Sequence, residues 1–171
     1  MNYSLKLLTV VFAAITSLSA HAHSGHAHHG HQHSHQADFG DAAKASAPDG
    51  VTVSDCWIRA LPNRLPSAAY FTLNNSSAHD AALIGAQSKA FGKVMLHANT
   101  TVNGMAAMVH EDKVELPAGG SFAFAPGGHH VMLEQPASEL EIGKSLPITF
   151  WFEEGRAITS DCEIRSAAGL K

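Results

Sequence analysis

Residues 97–132 read HANTTVNGMAAMVHEDKVELPAGGSFAFAPGGHHVM. Turn-forming residues cut this stretch into short pieces. Asn103-Gly104 precedes Met105 to His110, a Pro-Ala-Gly-Gly turn follows Lys113 to Leu116, and Pro126-Gly127-Gly128 opens onto His129 to Glu134. The pieces are too short and too poor in 3.6-residue periodicity to be helices, so they predict strands. The same stretch holds His97, Met108, His130 and Met132. Side chains alternate faces along a strand, so His130 and Met132 point the same way, roughly 6.6 Å apart at about 3.3 Å per residue. Two imidazoles and two thioethers, with no carboxylate or thiolate, form a soft and uncharged donor set. Thioether sulfur favours Cu(I) over Zn, Mg or Ca. These residue types point to a copper site.

Outward from this stretch the punctuation stays all-β. Val51 to Arg59 alternates and is rich in β-formers, and Ala68 to Asn74 reads as a second strand after a proline-bearing loop. Ala81 to Gln87, Lys93 to Ala98, Ser121 to Ala125, Leu146 to Glu153 and Ala157 to Arg165 follow, the last two flanking a Glu154-Gly155 hairpin turn. Only Ala137 to Ile142 has the look of a short helical turn. About ten short strands in roughly 120 residues predict a β-sandwich or small barrel. Trp57 is expected in its core, where burial removes a large apolar area from water. Cys56 and Cys162 lie in the first and last strands, either as a disulfide closing nearly the whole domain or as two buried thiols. Neither has a His or a second Cys at metal-ligand spacing.

Residues 1–22 contain Lys6, an apolar run from Leu7 to Leu18, and Ala20-His21-Ala22. These are the parts of a cleavable secretory signal over residues 1–22. The alternative, an uncleaved tether, is disfavoured because a bilayer span needs about 20 apolar residues. Residues 23–50 form a His-rich tail and a small-residue linker, and residues 51–171 the binding domain. The tail contains His21, His23, His26, His28, His29, His31, His33 and His35 within fifteen residues and little that can be buried. It is expected to be disordered and to capture metal, with Cu(II), Zn and Ni all suited to imidazole. A plain solubilising spacer is the other reading. Cleavage after Ala20 would leave His21-Ala22-His23 at the terminus, able to wrap square-planar Cu(II) or Ni(II).

The four core residues fall at H-x10-M-x21-H-x-M. This spacing resembles the copper-binding motif of the PCu(A)C family of periplasmic copper chaperones. Cys56-Trp57-Ile58-Arg59 and Ala68 to Asn74 resemble the family's opening strands. Ala125 to Leu133 (APGGHHVML) resembles its Pro-Gly-Gly-x-His-x-Met-Leu segment, and Leu146 to Glu154 its closing strand. The resemblance implies a cupredoxin-like Greek-key β-barrel or sandwich holding one Cu(I) near its surface. It makes His97, Met108, His130 and Met132 the ligands. The acceptor it implies is the CuA subunit of cytochrome c oxidase or a thiol-containing Sco-type partner. Many relatives carry a metal-binding extension at the C-terminus, whereas here the histidines precede the domain.

Other donors read differently. His110, two residues past Met108, is the first candidate for an auxiliary ligand. Met95 shares a strand face with His97 and is read as packing in the core or beside the site, with a place near the metal as the alternative; Met105 is read as packing or a nearby spare thioether. His129 should face away from His130, and His79 should be solvated. The net charge of −4 and the absence of a basic patch give no reason to expect nucleic acid. A blue-copper carrier needs a Cys beside its His and Met ligands, and none lies between 56 and 162. No carboxylate pair, activated nucleophile or phosphate loop marks an enzyme. A monomer in the periplasm, not inserted in the membrane after signal cleavage, is expected. The competing function is a copper or zinc buffer working through the tail.

Overall fold

The computed structural model describes residues 38–62 and 65–167, so the signal and histidine-tail readings lie outside the described residues. Ten strands follow one another. They are β1 (Val51–Ala60), β2 (Ser67–Asn75), β3 (Ala81–Gln87), β4 (Phe91–Val102) and β5 (Met105–His110), then β6 (Val114–Leu116), β7 (Ser121–Phe124), β8 (His129–Pro136), β9 (Ser145–Phe152) and β10 (Arg156–Ser166). The all-β expectation holds, with strand limits within a few residues of those read from the turn signals. Residues 137–142 hold only bends and the start of a turn. Six residues with one proline before them and Gly143 after them are too few to repay helix nucleation.

The strands join in the order β5-β4-β8-β2-β1-β10-β9-β3-β6, with β7 alongside the second half of β2. The sheet is open, ending at β5 and β6, and it curls until its inner face meets itself. Phe71 on β2 and Phe150 on β9 are separated by two intervening strands, yet their ring centroids lie 4.2 Å apart. Phe124 stacks on the other side of Phe71 at 4.3 Å. Leu96, Val131, Leu133, Leu83, Ile148 and Ile164 fill the same core.

One irregularity sets which side chains face that core. Between Ser54 and Trp57 the β1–β2 register shifts, and Asp55 takes a positive φ of 53°. The bulge reverses the alternation. Val51 and Val53 face inward before it, and Cys56, Ile58 and Ala60 face inward after it. Trp57 is thereby turned to the outer face, a correction to its reading as a core residue. There it packs on Tyr70 (centroids 4.7 Å) and under the Arg165 guanidinium (5.3 Å). The buried tryptophan is Trp151, whose Nε1 donates to Gln87 Oε1 at 2.9 Å.

β1 runs parallel to β10 with Trp57 opposite Glu163, which sets Cys56 beside Cys162; the two form a disulfide. The segment read as linker is docked from residue 38 onward. Phe39 stacks on Trp151 at 5.7 Å and covers Gly85, where any β-carbon would collide with the ring. The Ala157 amide donates to Ser46 O.

The disulfide closes a loop spanning 106 residues. Its reduction should lower the unfolding free energy by about 2–4 kcal/mol, below the roughly 4.7 kcal/mol that loop entropy alone allows. Urea unfolding with and without a thiol reductant measures this. A change under about 1 kcal/mol would mean that strand packing alone closes the sheet.

Candidate metal centre

The centre is built by the register of three strands. β4 and β8 pair so that His97 is opposite His130 and Met95 is opposite Met132. β4 and β5 pair so that His97 is opposite His110 and Asn99 is opposite Met108. Three histidines thus form a row across the sheet, His110–His97–His130. Ring centroids are 5.7 Å apart for the first pair and 6.0 Å for the second, edge to face in both.

The row lies on the face opposite the core. Val94, Leu96 and Ala98 on β4, and Val131 and Leu133 on β8, are the buried inner set. Alternation therefore turns Met95, His97, His130 and Met132 outward together. His130 is nevertheless only 5% exposed. Tyr70, one strand further along, lies 6.4 Å from its ring, and Arg59 lies 5.6 Å from the Tyr70 ring. Tyr70 thus flanks the histidine on the β1 side, and Trp57 and then Arg165 pack in turn behind Tyr70.

Both inner imidazoles are prepared to act as neutral donors. The Nδ1 of His130 is 3.1 Å from Gly128 O. With the proton on Nδ1 the ring donates to that carbonyl and keeps a lone pair on Nε2. Nδ1 of His97 is buried with no hydrogen-bond partner among the described residues. A buried unpaired nitrogen is costly, and a bound cation would satisfy it. Burial holds the pKa of both rings below the ordinary histidine value, and His130 and His110 lower that of His97 further. Among the described residues no three His, Cys, Asp or Glu side chains gather at one point. The other metal-ligand residue types adjoining the two inner histidines are the thioethers of Met95 and Met132.

The four residues of the H-x10-M-x21-H-x-M spacing are not equally close. His97, His130 and Met132 adjoin. Met108 is 53% exposed on the edge strand, diagonal to His97 and on the far side of the histidine row from Met132. Met95, read as packing from the sequence, is the thioether directly opposite Met132. His110 is half-exposed beside Asp112, with Nε2 3.2 Å from Oδ1. Met105 is 70% exposed at the hairpin tip and packs against nothing in the core. His129 faces the other way, against Phe122 and Phe124.

Residues 51–164 match the family described as "Putative lipoprotein LpqE-like". A similarly named protein of Leifsonia xyli subsp. xyli is 34% identical over 108 residues, covering 63% of this chain and 64% of the relative. The chain therefore spans a little under two thirds of that relative's length. Among solved structures, the copper-bound PCuAC domain from PmoF2 is 26% identical with a TM-score of 0.58, covering 70% of this chain and 96% of that one. The Cu(I) form of DR1885 from Deinococcus radiodurans is 29% identical with a TM-score of 0.56, covering 72% and 83%.

Lowered histidine pKa values carry a sign. The unfolded chain binds more protons than the folded one below about pH 6.5, so stability is complete above that value and falls as the pH drops through the folded values. The thermal midpoint of the metal-free protein should therefore decline on acidification below about pH 6.5. His97→Gln with His130→Gln should flatten that decline. An unchanged slope in the double variant would show that other groups carry it.

Proposed function

The chain belongs to the LpqE-like family and its domain is a cupredoxin-like PCu(A)C domain, and on that footing we propose that it is an exported copper chaperone. The observation that carries the reading is the paired register of His97 with His130 and of Met95 with Met132 on one outward face. His97, His130, Met132 and Met108, the set implied by the motif, are the proposed Cu(I) ligands. Copper is the cargo here, held and passed on unchanged, and the domain is a carrier rather than an enzyme.

Neutral imidazole and thioether donors suit a carrier. They select Cu(I) by softness. They do not neutralise its charge, so an acceptor offering cysteine thiolates wins the metal by stepwise ligand exchange. The half-exposed edge strand lets acceptor ligands approach while the donor's leave. We infer that the acceptor is of that thiolate kind, either the CuA subunit of cytochrome c oxidase or a Sco-type protein. The N-terminal charged and apolar run supports export, with the periplasm as the compartment. Cys56 and Cys162 form a disulfide, which fits an oxidising compartment. Among the described residues no helix is long and apolar enough to cross a membrane.

The histidines of 21–35 would form a second, Cu(II)-type pool beside the domain at high effective concentration. Their density, eight in fifteen residues, also supports the buffer or detoxification reading. Deleting the protein separates the two functions: a chaperone's loss impairs oxidase assembly, and a buffer's loss impairs metal tolerance.

Mixing the Cu(I)-loaded protein with a reduced thiolate acceptor domain should move copper to the acceptor, followed by the acceptor's ultraviolet thiolate-to-copper charge-transfer absorption. Met132→Ala should weaken Cu(I) binding at least about tenfold, or 1.4 kcal/mol. Retention of copper by the donor with excess acceptor present would count against the chaperone reading.

A further inference from the structure

We propose that Met95 is an exchange ligand for the copper of this face, alternating with Met108 for one place in its shell. The inference rests on the copper reading above and deepens it. His97, His130, Met95 and Met132 occupy two consecutive same-face pairs of the β4–β8 ladder. Such a quartet measures about 5 Å across the strands and about 7 Å along them. Met108 is elsewhere. From Met132 it is two strands across and four residues along, about 16 Å between backbones. Two extended methionine side chains and a shared metal reach roughly 13 Å. Met108 and Met132 can therefore ligate one ion only when the β4–β5 hairpin curls toward β8.

Packing does not account for Met95. Its neighbours Val94 and Leu96 enter the core, whereas Met95 is on the other face and outside the apolar cluster. What it adjoins is His97 on its own strand and Met132 across the ladder. A thioether there completes a donor set of two nitrogens and two sulfurs without movement of the backbone.

The two states have different exposure. With Met95 bound, copper sits beside His130, which is 5% exposed. With Met108 bound, it is drawn toward the edge strand, where Met108 is 53% exposed and His110 shares its face two residues on. His97 belongs to both states. The exchange breaks one Cu–S bond and forms another, with copper remaining Cu(I) and no proton or electron consumed. It moves the metal along the outer face, from the covered end beside His130 to the edge where a partner can take it.

The test is a Cu(I) competition titration with a sulfur count by X-ray absorption at the copper edge. It uses the full chain, Met95→Leu, Met108→Leu and the double variant. The histidine tail contains no methionine, so the sulfur count reports the sheet face. Leucine conserves volume, and thermal unfolding of each variant checks that the fold is kept. The expected result is two sulfurs in the wild type and in each single variant, with affinity falling less than about tenfold. The double variant should drop to one sulfur and lose at least about 100-fold. Met108→Leu should also slow transfer to a thiolate acceptor. One sulfur in Met108→Leu with Met95→Leu unchanged would overturn the proposal, and so would three sulfurs in the wild type. Copper without sulfur in the wild type would instead sink the copper-face reading itself.

Discussion

The register of β4 against β8 is the constraint on which the rest depends. Strand side chains alternate with period two, so a slip of one residue would exchange the two faces of the ladder. Val94, Leu96, Ala98, Val131 and Leu133 are buried on one side and resist that slip. Exposing even one of the larger ones costs about 1.5–3 kcal/mol. The same force that builds the core thereby holds two histidines and two methionines together on the other face. The donor set is a by-product of apolar alternation, which is why polar and soft residues can stand there without weakening the sheet.

A second constraint acts from the β1 side. The bulge at Asp55 turns Cys56 inward to meet Cys162 and turns Trp57 outward. That single extra residue both closes the domain covalently and builds the Trp57–Tyr70–Arg59 cover beside His130. Burial beside that cover lowers the pKa of His130. The β5 side is left open. The asymmetry gives the candidate site a covered end and an open end.

Much of this was legible in the sequence. Gly, Pro and Asn-Gly punctuation marked nearly every strand, because turns needing positive φ admit few residue types. Soft donors at a characteristic spacing drew attention to the outer face of β4 and β8, where the ladder brings His97, His130 and Met132 together. The rest depends on pairing partners, which local sequence does not encode. Nothing in Ser54-Asp55-Cys56-Trp57 announces a bulge, and the apolar area of Trp57 pointed to the core, whereas the bulge turns it outward. Spacing alone made Met108 look as near as Met132, whereas register sets it beyond the histidine row. Met95 was legible as a same-face neighbour of His97, but its position opposite Met132 follows only from the ladder. Phe39 lies in a stretch of small and polar residues whose composition reads as linker, and it docks because Gly85 leaves room for its ring.

The central claim is that the outer face of β4 and β8 holds Cu(I) in its own right. A Cu(I) titration against a competing chelator, comparing the whole chain with one lacking residues 21–37, tests it most directly. One tight Cu(I) equivalent retained without the tail is the predicted result. Loss of tight Cu(I) binding together with the tail would contradict the account and make the histidines of 21–35 the working part of the protein.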